Sequence, residues 1–167
     1  MKKRILAALS TLLVASILSG TVVFAQDAPN TLKQAESSDS VTTTVDLNQC
    51  VMYRQLPDGT ILPVEVPYAT ISSHTIEAGE TMYYSSSSGN DFYLYEDSVV
   101  SFQATFGGTS SYECGLYSSD GNYITLKSGR ARSFSINHTV EETGYYQFYI
   151  TNDSSEAITV KSGYIRF

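Results

Sequence analysis

The side chains most capable of chemistry in this sequence are two cysteines, two histidines and thirteen tyrosines. The thiols are Cys50 and Cys114, and the imidazoles are His74 and His138. Thiols and imidazoles act as nucleophiles, general bases or metal ligands, so catalysis would be sought at these four residues first. The tyrosines suit another task, because a flat ring with one hydroxyl can pack against a ligand and also hydrogen-bond to it.

Catalysis is not predicted from these residues. Each histidine lies among serines and threonines in a predicted strand, and the serines are too numerous to single out a nucleophile. A Ser-His-Asp site is defined by geometry, and the sequence has no Gly-x-Ser-x-Gly segment to present a serine on a tight turn. We therefore expect that the protein is not an enzyme.

Metal binding is not predicted either. Asp58, Asp91 and Asp120 stand in glycine- or asparagine-containing segments, where a short carboxylate side chain favours chain reversal. A calcium loop needs several oxygen ligands at regular spacing, and no segment supplies that spacing. The sequence gives no reason to expect a metal or another cofactor.

One disulfide is expected. Cys50 and Cys114 allow a single pairing, and disulfides persist in proteins exported to an oxidising environment. Such a bond would close a long loop and stabilise the fold by about 4 kcal/mol on a chain-entropy argument. The alternative is two buried thiols that pack as small apolar side chains.

The first 25 residues predict where the protein is located. A basic start, Met1–Arg4, is followed by an uncharged apolar stretch, Ile5–Ser19, and then by Val23–Ala25. A basic start, an apolar centre and small residues three and one positions before cleavage are typical of a secretory signal peptide. We expect cleavage after Ala25 and a secreted, extracellular protein of bacterial type.

Charge and hydropathy exclude several partners. The chain has 17 acidic and 10 basic residues, and the predicted signal peptide removes three of the basic ones. Nucleic acids and anionic membranes attract cationic surfaces, so neither is expected as a partner. After Ala25 no apolar run approaches the about 20 residues of a membrane-spanning helix, so no membrane span is expected.

The chain after the signal peptide has two parts. Residues 26–45 contain no aromatic side chain and are rich in polar residues, a composition typical of a disordered leader or linker. All thirteen tyrosines follow this segment. Residues 46–167 are therefore expected to form a single folded domain.

Alternation of apolar and polar residues runs through that domain. In Val100–Phe106 every second residue is apolar, and the same holds in Tyr112–Leu116 and Tyr146–Ile150. A period of two residues is typical of strands with one buried face, whereas the apolar spacing of a helix is missing. We predict an all-β domain folded as an antiparallel β-sandwich of about ten strands.

Turn-forming residues set the expected strand boundaries. Gly107, Gly108 and Gly129 are predicted to lie in turns, and Gly163 in a bulge of the last strand. The predicted strands, of which one or two are expected to merge or to be spurious, lie near 49–55, 60–66, 69–76, 80–86, 91–96, 98–106, 111–118, 122–127, 131–139, 144–151 and 157–166.

Three stretches resemble the pre-peptidase C-terminal type of domain found in secreted bacterial proteins: Ala78–Tyr84, Gly115–Asn122 and Thr143–Ile150. The resemblance covers about residues 75–167. It implies a small jelly-roll-like sandwich with a non-catalytic, accessory or binding role. Some relatives bind calcium or collagen through acidic clusters ahead of the first core strand, but here that region offers just Glu77 and Glu80, so no metal site is carried over.

Four tyrosines are candidate binding residues. If the apolar residues that alternate with them face the core, then Tyr93, Tyr95, Tyr145 and Tyr149 lie exposed on the outer side of the sheet. Such rings could stack on sugars or anchor a protein partner. The competing interpretation is that they pair across strands and stabilise the sheet.

Two functions follow as hypotheses. The first is a secreted, non-enzymatic sandwich that binds an extracellular polymer, such as a glycan, or a protein partner. The alternative is a secreted antagonist, similar to a bacteriocin, that acts on competing cells.

Overall fold

The computed structural model describes residues 42–64 and 73–167, and in these ranges the chain forms ten strands and one turn of 3-10 helix, Leu47–Gln49. The predicted signal peptide, most of the predicted leader and parts of the strands predicted near 60–66 and 69–76 lie outside the described residues. The strands are β1 (Thr44–Asp46), β2 (Val51–Gln55), β3 (Ile61–Pro63), β4 (His74–Ile76), β5 (Thr81–Ser85), β6 (Phe92–Leu94), β7 (Val99–Ser118), β8 (Tyr123–Thr139), β9 (Gly144–Asn152) and β10 (Ile158–Arg166).

Two long strands, β7 and β8, take part in both layers of an antiparallel sandwich. The first half of β7 pairs with β10, its second half pairs with β9, and β8 follows β7 along both halves. The smaller sheet therefore contains β1 and β4, then β10, β7 and β8. The larger sheet contains β3, β2, β5, β9, β7 and β8 in that order, and the short strand β6 also pairs with β9. The predicted all-β, jelly-roll-like sandwich of about ten strands is confirmed.

The chain passes between the sheets at a bend in β7. Its pairing with β8 shifts register between Thr105 and Ser110, and Gly107 and Gly108 lie in this irregular stretch. The turns predicted there and at Gly129 are wrong, because both places lie inside continuous strands. A bulge bends a strand without ending it, so four predicted strands become two long ones.

The last strand also departs from expectation. The register of β10 shifts between Val160 and Ser162, which precedes the bulge predicted at Gly163. A Cβ atom at Gly163 would lie 2.4 Å from the carbonyl oxygen of Gln103 and 2.5 Å from Leu47 Cδ1. Glycine is needed there because the neighbouring strand and the 3-10 turn approach the backbone closely.

The folded domain begins earlier than its composition indicates. Strand β1 starts at Thr44, and Thr43 exchanges backbone hydrogen bonds of 2.8 and 3.0 Å with Phe167. The composition predicts a leader that extends through residue 45, because residues 26–45 contain no aromatic side chain. Pairing with the edge of β10 gives the β-branched Thr44 and Val45 their partners.

The core between the sheets is built largely from aromatic rings. Phe102 of the smaller sheet contacts Phe148 of the larger sheet, with ring centroids 5.1 Å apart, and Phe134 packs on Phe102 at 5.0 Å. The predicted alternation is confirmed, because the inward-facing residues of β7 and β9 are buried: Val100, Phe102, Ala104, Phe106, Tyr112, Cys114, Leu116, Tyr146, Phe148 and Ile150.

The predicted disulfide is not formed. Cys50 and Cys114 are free thiols, both buried within the core cluster. They pack there as small apolar side chains. Burial raises the pKa of each thiol to about 12, so neither ionises at neutral pH.

One polar pair crosses the core between the two sheets. His74 on β4 is 8% exposed; its Nε2 lies 2.7 Å from the Tyr84 hydroxyl on β5, and its Nδ1 lies 3.3 Å from Asn48 Oδ1. The amide oxygen accepts from Nδ1–H, so Nε2 accepts from the tyrosine. Burial lowers the pKa of His74 to about 4 from its usual 6.5. The neutral imidazole is therefore the form that the fold accommodates.

Alkylation tests the state of the cysteines. We expect iodoacetamide to leave the native protein unmodified, because the thiols are buried and un-ionised. In denaturant without reductant, mass spectrometry should then detect two alkyl groups per chain. Alkylation in denaturant that requires prior reduction would contradict the free-thiol assignment.

A second prediction concerns acid. In the unfolded chain His74 binds a proton near pH 6.5, whereas in the folded chain it does so near pH 4. Its contribution to stability is therefore complete above about pH 6.5 and is lost as the pH falls towards 4, by about 2 to 3 kcal/mol. Urea unfolding at about pH 7.5 and about pH 4.5 measures this loss.

The matched variant for that experiment is His74→Gln. It should be less stable than the wild type at neutral pH, but its free energy of unfolding should fall less on acidification, by about the same 2 to 3 kcal/mol. Carboxylates titrate in both proteins, so the difference between the two pH dependences of the free energy of unfolding gives the contribution of the His74 imidazole. Parallel pH dependences in the two proteins would contradict the assignment.

Candidate functional site

Seven tyrosines share the outer face of the larger sheet. Tyr83 lies directly opposite both Tyr53 on β2 and Tyr149 on β9. Two further cross-strand pairs, Tyr117 with Tyr123 and Tyr93 with Tyr145, follow the same parity on their strands. These residues alternate with core residues, so their side chains leave the sheet on the side away from the core. We call this surface the tyrosine face: Tyr53, Tyr83, Tyr93, Tyr117, Tyr123, Tyr145 and Tyr149.

The tyrosine face is strongly concave. Tyr123 on β8 donates a hydrogen bond of 3.1 Å to Oε1 of Gln55 on β2, although β5, β9 and β7 lie between these strands. In a flat sheet β2 and β8 would be about 19 Å apart, four strand spacings. The same oxygen accepts from Tyr83 at 2.5 Å, which brings the hydroxyl oxygens of Tyr83 and Tyr123 side by side. The two sides of the sheet therefore curl towards each other.

This curvature buries the middle of the face. Tyr149 has no exposed surface and Tyr83 is 2% exposed, although neither belongs to the core cluster. The ring of Tyr123 packs edge-on against Tyr149 with centroids 5.1 Å apart. The hydroxyl of Tyr149 donates to Glu113 Oε1 over 2.9 Å and lies 3.2 Å from Thr125 Oγ1. Burial raises the pKa of both buried phenols.

The expectation that Tyr149 is exposed is therefore wrong. Its parity was assigned correctly, since it points away from the core, but β8 folds over it. Alternation along one strand indicates the side of the sheet and says nothing about a neighbouring strand that covers that side.

A glycine makes room for this arrangement. A Cβ atom on Gly115 would lie 2.0 Å from the carbonyl oxygen of Ile124 and 3.0 Å from Tyr149 Cε1. The register of β7 against β8 also shifts between Cys114 and Gly115. The missing side chain thus permits both the close approach of β8 and the placement of the Tyr149 ring.

The other predicted tyrosines do come together at one end of the face. Tyr93, Tyr95 and Tyr145 are 43%, 65% and 54% exposed. The ring of Tyr93 packs edge-on against Tyr95 at 5.1 Å and lies 4.9 Å from the ring of Tyr145. We call these three residues the exposed triad. They form one continuous aromatic surface that the fold leaves open to solvent.

Polar groups adjoin the exposed triad. A cavity of about 140 Å³ opens beside Tyr145 and is lined in part by Asp120, Asn122, Glu142 and Thr143. It lies where the β7–β8 turn meets the loop before β9. The triad therefore combines flat rings with nearby hydrogen-bonding groups, the combination that small-molecule and sugar sites require.

Several residues of the face were not predicted from the sequence. Tyr117 and Tyr123 could have been predicted, because they flank a turn and Tyr117 directly follows the buried Leu116, which places it on the opposite face of the strand. Gln55 and Glu113 carry no such signal. Their contacts with the tyrosines depend on how the larger sheet curls, and that is a property of many strands together.

Other classes of site have little support. Within residues 42–64 and 73–167, no three side chains of His, Cys, Asp or Glu are grouped to hold a metal ion. In the same ranges no helix has the length and apolar character needed to cross a bilayer. His74 is engaged in the core, and His138 on β8 is half-buried.

No protein-family model matches the sequence, and no curated protein matches it. Solved structures with similar backbones include the C-terminal CBM6 of LamC, a laminarinase of the marine Zobellia galactanivorans (12% identity, 74% of this chain and 98% of that one, TM-score 0.42). Another is the CBM1 of BiXyn10A (7%, 75% and 96%, 0.40), and a third is a CBM4 (14%, 54% and 77%, 0.40). These are carbohydrate-binding modules and not pre-peptidase C-terminal domains. At such TM-scores the likeness transfers neither a ligand nor a binding residue.

Replacement of Gly115 by alanine tests the closed part of the face. The new Cβ atom would meet a backbone oxygen, so β7 and β8 must separate locally. We expect the free energy of unfolding to fall by about 2 to 4 kcal/mol. The matched control is Gly108→Ala, since a Cβ atom there meets nothing within 4 Å. Urea unfolding of both variants decides the matter, and equal stabilities would contradict the argument.

Proposed function

We propose that this chain is a secreted, non-enzymatic sandwich module that binds an extracellular polysaccharide through the exposed triad. The observation that carries the proposal is the triad itself: three adjacent rings, held on the tyrosine face, that remain open to solvent. A contiguous aromatic surface on a folded protein marks an interaction site more often than scattered exposed rings do.

The chemistry of the triad suits sugars. The faces of a pyranose carry C–H groups that pack on aromatic rings, and the ring hydroxyls hydrogen-bond at its edge. The cavity beside Tyr145 offers such partners, among them the Asn122 amide and the Thr143 hydroxyl. The side chain of Thr143 also contacts the neighbouring loop, because its hydroxyl accepts a hydrogen bond from the Glu96 amide over 2.9 Å.

The triad is also held in place before any ligand arrives. Tyr93 and Tyr145 lie directly opposite each other on β6 and β9, whose alternate residues Phe92, Leu94 and Tyr146 are buried in the core. Side chains on well-packed strands lose little conformational entropy on binding. A rigid platform therefore supports binding of an extended polymer without a conformational change.

A role without catalysis is supported by the state of the reactive side chains. Both thiols are buried with a pKa of about 12, and His74 is occupied by its two hydrogen bonds. The exposed triad has neither a thiol nor an imidazole among its ring partners. Binding through this surface needs no bond to be made or broken.

Glycan binding of alanine variants tests the proposal. On a glycan array the wild-type protein should retain at least one polysaccharide, and titration calorimetry with that glycan should show about ten-fold weaker binding for Tyr93→Ala and for Tyr145→Ala. The matched control is Tyr164→Ala, a half-buried tyrosine on β10 of the other sheet, which should bind as the wild type does. Thermal unfolding must show that all variants are folded.

Two results would contradict the proposal. One is the absence of any glycan ligand on the array. The other is a glycan whose affinity is the same for the wild type, Tyr93→Ala and Tyr145→Ala, since the rings would then serve only as the cross-strand pair that their register makes them.

A further inference from the structure

The end of the sandwich that carries the exposed triad is acidic. Three loops meet there: the chain from Tyr95 to Ser98, the β7–β8 turn and the loop before β9. The Asp97 amide donates to the Val140 carbonyl over 2.9 Å, and the Ser119 amide donates to the Tyr145 carbonyl over 3.0 Å. These loops contain no Lys or Arg, and their acidic residues are Glu96, Asp97, Asp120, Glu141 and Glu142.

Two of these carboxylates converge on the cavity beside the triad. Asp120 and Glu142 line the same cavity as Tyr145, from opposite loops. Both raise the pKa of the neighbouring Tyr146, in addition to the larger effect of burial, so the negative fields of the two side chains overlap at one place. The Tyr146 hydroxyl donates to the backbone oxygen of Glu142 over 2.8 Å and holds that loop against the sheet.

No Lys or Arg of the described residues pairs with these carboxylates, and His138, which lines a neighbouring cavity with Glu141 and Glu142, forms no ion pair with them either. Arg54 pairs with Glu80 at 3.3 Å, and the Arg166 guanidinium lies 5.2 Å from the centre of the Tyr164 ring on the smaller sheet. The lining of the cavity contains neither Lys nor Arg. Within residues 42–64 and 73–167, none of these five acidic residues forms an ion pair. The cavity thus places two unpaired carboxylates beside open aromatic rings.

We propose that the exposed triad and this cavity select a polysaccharide of amino sugars with free ammonium groups, that is, glucosamine units rather than their N-acetylated or acidic counterparts. This inference rests on the proposed function. The pyranose rings lie on Tyr93 and Tyr145, and an ammonium group enters the cavity, where Asp120 and Glu142 accept its hydrogen bonds. A cation beside an aromatic face gains a second attraction from the ring.

Charge discriminates between the candidate ligands. A neutral N-acetylated sugar could stack on the rings, but it would partly desolvate two carboxylates without giving them a counter-ion, which is unfavourable. An acidic polysaccharide would be repelled both locally and by the excess of acidic over basic residues in the whole chain. An ammonium group forms charge-assisted hydrogen bonds with the carboxylates, so the cationic polymer is the one that the site favours.

The test compares two oligosaccharides of equal length by titration calorimetry, one of glucosamine and one of N-acetylglucosamine, at low salt and a pH that keeps the amine protonated. We expect the wild-type protein to bind the glucosamine oligomer at least about ten-fold more tightly, which is about 1.4 kcal/mol. Added salt should narrow the difference, because ions screen exposed charges. Tyr145→Ala should weaken binding of both oligomers.

The decisive variant is the double substitution Asp120→Asn with Glu142→Gln. It should abolish the preference for glucosamine and leave the melting temperature unchanged, because neither carboxylate has an ion-pair partner in the described part of the chain. The matched control is Glu77→Gln with Glu156→Gln. These two acids are also exposed but lie in the loops before β5 and after β9, and their replacement should preserve the preference.

The outcomes separate this inference from the proposed function. Equal affinity for the two oligomers, or a preference that survives in the Asp120/Glu142 variant, would overturn the inference while leaving glycan binding at the triad intact. If poly-lysine binds the triad as tightly as the glucosamine oligomer, the site selects a cationic peptide and the amino-sugar assignment is wrong. Binding of no glycan at all would overturn both.

Discussion

Burial of alternate residues along β7 is the constraint on which the architecture depends. Residues of even number face the core in both halves of this strand, yet the two halves belong to different sheets. The strand must therefore turn through the corner of the sandwich without exposing its buried side. Extra residues in β7 make this turn possible. Thr105 pairs with Ser133 and Ser110 pairs with Ala131, so β7 advances by five residues where β8 advances by two. A bulge of this kind increases bend and twist locally, and β8 is carried with it.

The twist of this hairpin explains why the larger sheet has a second buried layer. The first half of β8 curls over the outer face until Tyr123 reaches Gln55 on β2. Hydroxyls enclosed in this way would be costly if they lacked partners. Tyr83 and Tyr149 each have one, in Gln55 and Glu113. The middle of the tyrosine face is thus a small polar-aromatic cluster that braces the sheet, and its buried rings are structural.

The sequence alone supports the fold better than it supports the site. Phe102 and Phe148 could be placed in the core because burial of every second residue is a local pattern. The turns predicted at Gly107 and Gly129 failed because glycine marks a bend as readily as a chain reversal. Tyr149 was assigned to the correct side of its strand and still proved buried, since its cover comes from β8.

The cysteines show the same limit in another form. An exported chain with two cysteines favours a disulfide, but neither the compartment nor the number of cysteines specifies where the two side chains lie. In the structure both thiols are buried in the core cluster and remain free. The relative position of two side chains that are far apart in the sequence depends on the packing of several strands, and sequence patterns do not reveal it.

Tyr95 is the member of the exposed triad whose position is explained least by a contribution to the stability of the sheet. Tyr93 and Tyr145 form a cross-strand pair, which by itself stabilises a sheet by about 0.2 to 1 kcal/mol. Tyr95 lies beyond the end of β6 and pairs with no strand in the described residues, yet it packs edge-on against Tyr93.

Its position is fixed by a tight turn. The Tyr95 carbonyl accepts hydrogen bonds from the Ser98 amide at 3.1 Å and from the Ser98 hydroxyl at 2.5 Å. Asp97 inside this turn has a φ of 63°, in the left-handed region that Asp adopts more readily than most residues other than glycine. The turn that leads from β6 into β7 therefore also sets the position of this exposed ring beside Tyr93.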